Sequence, residues 1–163
     1  MNSFFSDTVF DLRGKVALVT GASGLLGVEH TSALLESGAC VCMTDVNEKS
    51  LKKAYDILLT PENKDRFFFK KMDVTSEKNI KDILNNLNKK NLNIDILINN
   101  AAIDPKVKNV SILETSRLEN FLTDDWDFQI KVGLTGAMLC SKVFGTEMAK
   151  NGGGVILNIF SFH

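Results

Sequence analysis

Two stretches of the sequence combine residue types and spacing that could hold a phosphorylated ligand. Thr20-Gly21-Ala22-Ser23-Gly24-Leu25-Leu26-Gly27 follows an apolar run and leads straight into a helical stretch near Val28 to Ser37. A glycine turn between strand and helix lets backbone N–H groups approach a pyrophosphate, and the helix N-terminus adds partial positive charge. The competing reading is an ordinary tight turn. Asp45 ends the next apolar run, about twenty residues beyond the glycines. An acidic side chain there can accept hydrogen bonds from the hydroxyls of an adenosine ribose. A 2′-phosphate would be repelled, since Thr44 to Asn47 contains no basic residue. The pair therefore favours NAD, with Gly21, Ser23, Gly24, Leu25, Leu26, Gly27, Asp45 and Val46 as the candidate contacts. The alternative for Asp45 is a solvated aspartate capping the helix that starts at Glu48.

Other chemistry-bearing residues point to less. Cys40, Cys42 and Cys140 are an odd count without zinc-type spacing, and Cys40 and Cys42 should share one face of a strand as small buried hydrophobes. His30 falls on the helix after the glycine turn, where it reads as a surface or packing residue. His163 lies close to Ser161, but no nucleophile elbow or third orienting group accompanies the pair, which argues against a hydrolase.

The elements that must position these residues alternate in type. Continuous apolar runs at Val16 to Val19, Cys40 to Met43, Phe67 to Phe69, Ile94 to Ile98 and Val155 to Ile159 read as five strands covered on both faces. Helical stretches are expected near Glu48 to Leu59, Glu77 to Lys90 and Trp126 to Lys150, as well as the one after the glycine turn; Gly38 closes that first helix and Pro61 follows the second. Asn85 to Asn93 is rich in Asn and Lys but reads as a helix end and a solvated turn. The expected fold is a doubly wound parallel α/β sheet of the Rossmann type. Right-handed crossovers place helices on both faces and a ligand crevice at the carboxyl ends of the strands.

At 163 residues, 44% hydrophobic and 24% charged, the chain is expected to form one domain over 1–163. Its 19 basic and 20 acidic residues nearly cancel, so neither nucleic acid nor an anionic membrane is an expected partner. The stretch Met1 to Gly14 lacks the apolar core of a signal peptide and no apolar run reaches membrane-spanning length. A cytoplasmic location is expected.

From Leu12-Arg13-Gly14-Lys15-Val16-Ala17-Leu18-Val19-Thr20-Gly21 onward, the sequence resembles the short-chain dehydrogenase/reductase family over essentially its whole length. Asp73-Val74 resembles the family's adenine-ring contact. Asn99-Asn100-Ala101-Ala102 resembles its Asn-Asn-Ala-Gly signature, which supports the sheet and lines the cofactor cleft. Leu134-Thr135-Gly136 and Asn158-Ile159-Phe160-Ser161 follow in family order. The resemblance assigns Ser161 as the serine that hydrogen-bonds the substrate oxygen. It implies an NAD-dependent oxidoreductase moving a hydride between nicotinamide and a small alcohol or ketone, in a homo-oligomer paired through the long helix.

Three positions depart from that pattern. The compact branch reads Thr-Gly-x-x-x-Gly-x-Gly, whereas Gly21, Gly24 and Gly27 follow a spacing more typical of the sugar-nucleotide branch, so epimerase or dehydratase chemistry is an alternative. The family's helix asparagine aligns with Gly133, through either close packing or divergence. The family's Tyr-x-x-x-Lys pair, placed after the serine, has no counterpart in these 163 residues: the single tyrosine is Tyr55, followed four positions later by Leu59. The expectation is a C-terminally truncated, incomplete sheet that holds NAD and is inactive by itself. The alternative from another class is a non-catalytic nucleotide-binding or interaction subunit.

Overall fold

A computed structural model describes residues 10–103 and 118–160. Five parallel strands form one sheet: β1 (Val16–Thr20), β2 (Cys40–Asp45), β3 (Phe67–Lys71), β4 (Ile96–Asn99) and β5 (Val155–Asn158). Their order is β3-β2-β1-β4-β5. All four neighbouring pairs are parallel, in registers that place Val16 beside Cys40 and Ile96 beside Val155. The chain lays down β1 to β3 in one direction and then returns across β1 to add β4 and β5. The reversal puts a crevice between the carboxyl ends of β1 and β4.

Strand side chains alternate between two cores, which is why the apolar runs are continuous. On one face Ala17, Val19, Val41, Met43 and Ile98 pack with Leu34 and Leu35 of α1 (Leu25–Glu36) and with Leu51 and Ala54 of α2 (Glu48–Leu58). On the other, Val16, Leu18, Cys42 and Leu97 meet Ile80, Ile83 and Leu87 of α3 (Glu77–Asn88). Ile80, Ile83 and Leu87 recur at helical spacing, so a single stripe of α3 is buried. The same core takes Cys140, Val143, Phe144 and Met148 from the last helix. Phe144 is fully buried, and its truncation to alanine removes a contact set worth about 3–5 kcal/mol.

Helix ends follow from local chemistry. The Asn47 side chain accepts the Ser50 N–H at 3.1 Å to start α2, and the Ser76 hydroxyl accepts the Asn79 N–H at 3.3 Å to start α3. Gly38, at φ 91°, turns the chain out of α1.

Three boundaries differ from the sequence reading. α1 begins at Leu25, not Val28, so its first turn is built from the glycine motif itself. β4 begins at Ile96; Ile94 is buried but precedes the ladder. The stretch expected as one helix from Trp126 is instead α4 (Thr123–Ile130), a π-helical turn (Lys131–Thr135) and α5 (Gly136–Lys150). A helical pattern of apolar residues does not register one residue inserted into the hydrogen-bond ladder.

The three cysteines are free thiols, with Cys42 and Cys140 in the core. Burial pushes both thiols up to about 12, leaving almost no thiolate near neutral pH. Iodoacetamide at about pH 8 should therefore modify Cys42 and Cys140 only after unfolding in urea, with adducts counted by mass spectrometry. Fast labelling of either in the native chain would contradict this packing.

Candidate cofactor site

The glycine turn is set by how closely it approaches its neighbours. Gly21 has φ 60°, and a Cβ there would lie 2.8 Å from Ala101 Cα. Only glycine meets both the dihedral and the contact. At Gly27 a Cβ would fall 2.7 Å from Ala22 Cα, so the base of α1 rests directly on the turn. Gly24 occupies the N-cap of α1 in extended conformation, and no side chain caps the helix. The first turn of α1 thus keeps its amides for an outside acceptor. Leu25 and Leu26 begin that turn and are 86% and 54% exposed. Counted from Thr20, the second glycine of the compact pattern falls on Leu25, so the place that pattern leaves bare carries an exposed isobutyl group.

Thr20 ties the turn to β4. Its hydroxyl, 1% exposed, donates to the Ile98 carbonyl at 3.4 Å and accepts the N–H groups of Asn100 and Ala101, each at 3.0 Å. The Asn100 amide returns the contact, donating to the Thr20 and Gly21 carbonyls at 3.1 Å. Ala101 is half-buried against Gly21 and Ala102 is exposed. Sequence reading did not single out Thr20, because a threonine before a glycine turn carries no signal that it pairs with a segment 80 residues away.

Asp45 lies beside the same turn. Its Oδ2 accepts the Ser23 hydroxyl at 2.6 Å and the Ser23 N–H at 3.2 Å, and its Oδ1 accepts the Asn47 N–H at 2.9 Å. Asn47, not Asp45, caps α2. That corrects the reading of Asp45 as a helix cap. The adjacent Val46 is exposed.

At the end of β3 the Asp73 carboxylate accepts the N–H and hydroxyl of Thr75 at 2.9 and 2.7 Å, while the Asp73 N–H donates to Asn79 at 2.6 Å. Val74 is buried in the core against Gly136, where a Cβ would lie 2.7 Å from its Cγ2. The two residues reach the carboxyl edge of the sheet, but their side chains are committed to the start of α3 and to the core.

Around Gly133 a Cβ would meet nothing within 4 Å. Among the described residues, close packing does not account for this glycine, which sits in the π-helical turn before α5. Deeper in, the Asn99 amide donates to Asn158 at 2.8 Å, to the Ser141 hydroxyl at 3.0 Å and to the Ala137 carbonyl at 3.4 Å. This network joins β4, α5 and β5, and sequence reading reached it only as part of two motifs. Tyr55 is far from the crevice, stacked on Phe67 and Phe69 with its hydroxyl 3.3 Å from the Phe67 carbonyl. His30 is half-buried on α1. Ser161 and His163 lie outside the described residues.

Comparison with known proteins finds similarity over nearly the whole chain. The family described as short chain dehydrogenase matches residues 15–163. The chain belongs to the short chain dehydrogenase family. An uncharacterized oxidoreductase of Thermotoga maritima is 34% identical over 150 residues, covering 92% of this chain and 54% of that protein. An NAD-dependent glycerol dehydrogenase of Listeria innocua is 32% identical, covering 95% and 56%. The crystal structure of serine dehydrogenase from Escherichia coli, 24% identical, shares the fold with a TM-score of 0.71 over 88% of this chain and 60% of that one. The chain thus spans a little over half the length of these proteins. No described helix is long and apolar enough to cross a membrane, and no group of three or more metal-ligating side chains occurs among the described residues.

The two glycines predict opposite outcomes in urea denaturation. Gly21→Ala should lose about 1–3 kcal/mol, because a Cβ is forced into both a left-handed conformation and the Ala101 backbone. Gly133→Ala should gain up to about 1 kcal/mol, since its site is open and helical. Equal midpoints for the two variants would contradict this account of the turn.

Proposed function

We propose that this chain is the dinucleotide-binding part of an NAD-dependent oxidoreductase acting on an alcohol or ketone. The observation that carries the reading is the half-buried Asp45 carboxylate beside the glycine turn, in a stretch from Thr44 to Asn47 without a basic residue. The amides of Leu25, Leu26 and Gly27 at the uncapped start of α1 would hold the pyrophosphate, and Asp45 the adenosine ribose. Asp73 and Val74 would border the adenine ring, and Asn100, Ala101 and Ala102 would line the cleft beyond it. Bound there, NAD supplies the hydride acceptor or donor. Ser161 would hydrogen-bond the substrate oxygen. The NAD-dependent glycerol dehydrogenase among the relatives supports both the cofactor and a dehydrogenase over the sugar-nucleotide chemistry that the glycine spacing left open.

The 163 residues themselves should hold the cofactor without turning over substrate. Hydride transfer at an alcohol carbon needs a proton to move at its oxygen, assistance worth about 10²–10⁴-fold. A serine hydroxyl by itself does not provide it, and the one tyrosine, Tyr55, packs half-buried against Phe67 and Phe69 of β3.

Oligomerisation and a cytoplasmic location complete the reading. Leu118, Leu122, Trp126, Ile130, Leu134 and Met138 recur every four residues and are 37–90% exposed, an apolar ladder suited to a second copy. The free thiols fit a reducing compartment.

Calorimetry should find NADH bound more tightly than NADPH by about 1–3 kcal/mol, with Asp45→Ala moving the ratio toward NADPH and neither protein oxidising NADH over a panel of ketones. Equal affinities for the two cofactors, or turnover by this chain, would overturn the assignment. Sedimentation at micromolar concentration should show a dimer or larger species that Trp126→Glu weakens; a monomer before substitution would remove the pairing.

A further inference from the structure

The environment of Asp45 holds more than a ribose acceptor. A carboxylate offers roughly four acceptor positions, two on each oxygen. Here Ser23 fills both positions on Oδ2, one with its N–H at 3.2 Å and one with its hydroxyl at 2.6 Å, and the Asn47 N–H fills one on Oδ1 at 2.9 Å. A single position remains. A vicinal diol presents two donors, so its second hydroxyl meets an acceptor already taken.

The three contacts are not equivalent. The Ser23 and Asn47 amides belong to backbone that is fixed elsewhere, by Ala22 N–H on the Thr44 carbonyl at 2.9 Å and by Asn47 serving as the N-cap of α2. They orient the carboxylate whatever side chain stands at 23. The Ser23 hydroxyl is held only by its own torsion and can rotate away, but its short, charge-assisted bond must break first.

We propose that the Ser23 hydroxyl is a placeholder for one ribose hydroxyl on Asp45, so that Ser23 limits how tightly the chain holds a nucleotide bearing an intact cis-diol. The inference rests on the dinucleotide reading of the site. It makes Ser23 a determinant of specificity that works by competition: a diol gains one free acceptor and displaces a side chain from another. A ligand lacking the 2′-hydroxyl needs only the free position and leaves Ser23 in place.

The test titrates the full chain with NADH, AMP and 2′-deoxy-AMP. Ser23→Ala keeps the Ser23 amide and should tighten NADH and AMP about three- to tenfold while leaving 2′-deoxy-AMP within twofold. Ser23→Thr retains a hydroxyl and should bind all three as the unsubstituted chain does. A purely structural role for Ser23 would change all three affinities together, or the melting temperature alone. Weaker or unchanged NADH and AMP binding by Ser23→Ala would overturn the proposal while leaving the dinucleotide site standing. Absence of binding by the unsubstituted chain and by Asp45→Ala alike would overturn both.

Discussion

Thr20 sits with its hydroxyl between two strands, accepting the Asn100 and Ala101 amides and donating to the Ile98 carbonyl. Three backbone groups at the end of β4 thereby find partners on one buried side chain of β1. The arrangement holds the Asn100 amide where it can reach the carbonyls of Thr20 and Gly21, and it brings Ala101 against the one turn residue that has no Cβ. If the hydroxyl were absent, two half-buried amides would lose their acceptor, at a cost of up to about 1–3 kcal/mol each. The glycine turn, the start of α1 and the Asn-Asn-Ala segment would then no longer share a fixed wall.

The strands were legible because a parallel sheet covered on both faces writes itself as uninterrupted apolar runs, and the crevice at their carboxyl ends followed from their order. Asp45 was legible for the same reason: it is the first charged residue after such a run. What the sequence did not disclose depends on geometry between distant residues. The Ser23–Asp45 bond joins positions 22 residues apart, and the Asn99–Asn158 bond positions 59 apart, with no local signal in either case. Gly133 could be seen but not interpreted, since close packing and open space predict the same letter; among the described residues nothing lies within 4 Å of its Cβ position. The π-helical turn escaped because its residues are as helix-compatible as their neighbours.

The two faces of the molecule are finished to different degrees. Around β1 and β2 every strand position from Val16 to Thr20 and from Val41 to Thr44 is buried, and both cores close over them. Toward β5 the covering thins. Ile156 touches α5 near Gly145, where a Cβ would come within 3.1 Å of its Cδ1, but Val155 and Leu157 on the opposite face are 62% and 46% exposed. The chain covers 54% and 56% of the length of the two curated relatives.

An exposed fifth strand also gives the sheet a direction in time. β1 is hydrogen-bonded on both edges and sealed on both faces, so its amides meet water only when the whole sheet opens. Among the described residues β5 pairs with β4 alone, through four residues with little packed on one side. Its separation exposes little new apolar surface, and the energetic penalty for peeling it away is correspondingly small. Amide hydrogens should therefore exchange with solvent in a graded order, β5 well before β4 and β4 before β1. The crevice at the end of β1 and β4 is thus anchored to the slowest-opening strand on one side and, through Asn99 and Asn158, coupled on the other to the strand that loosens first.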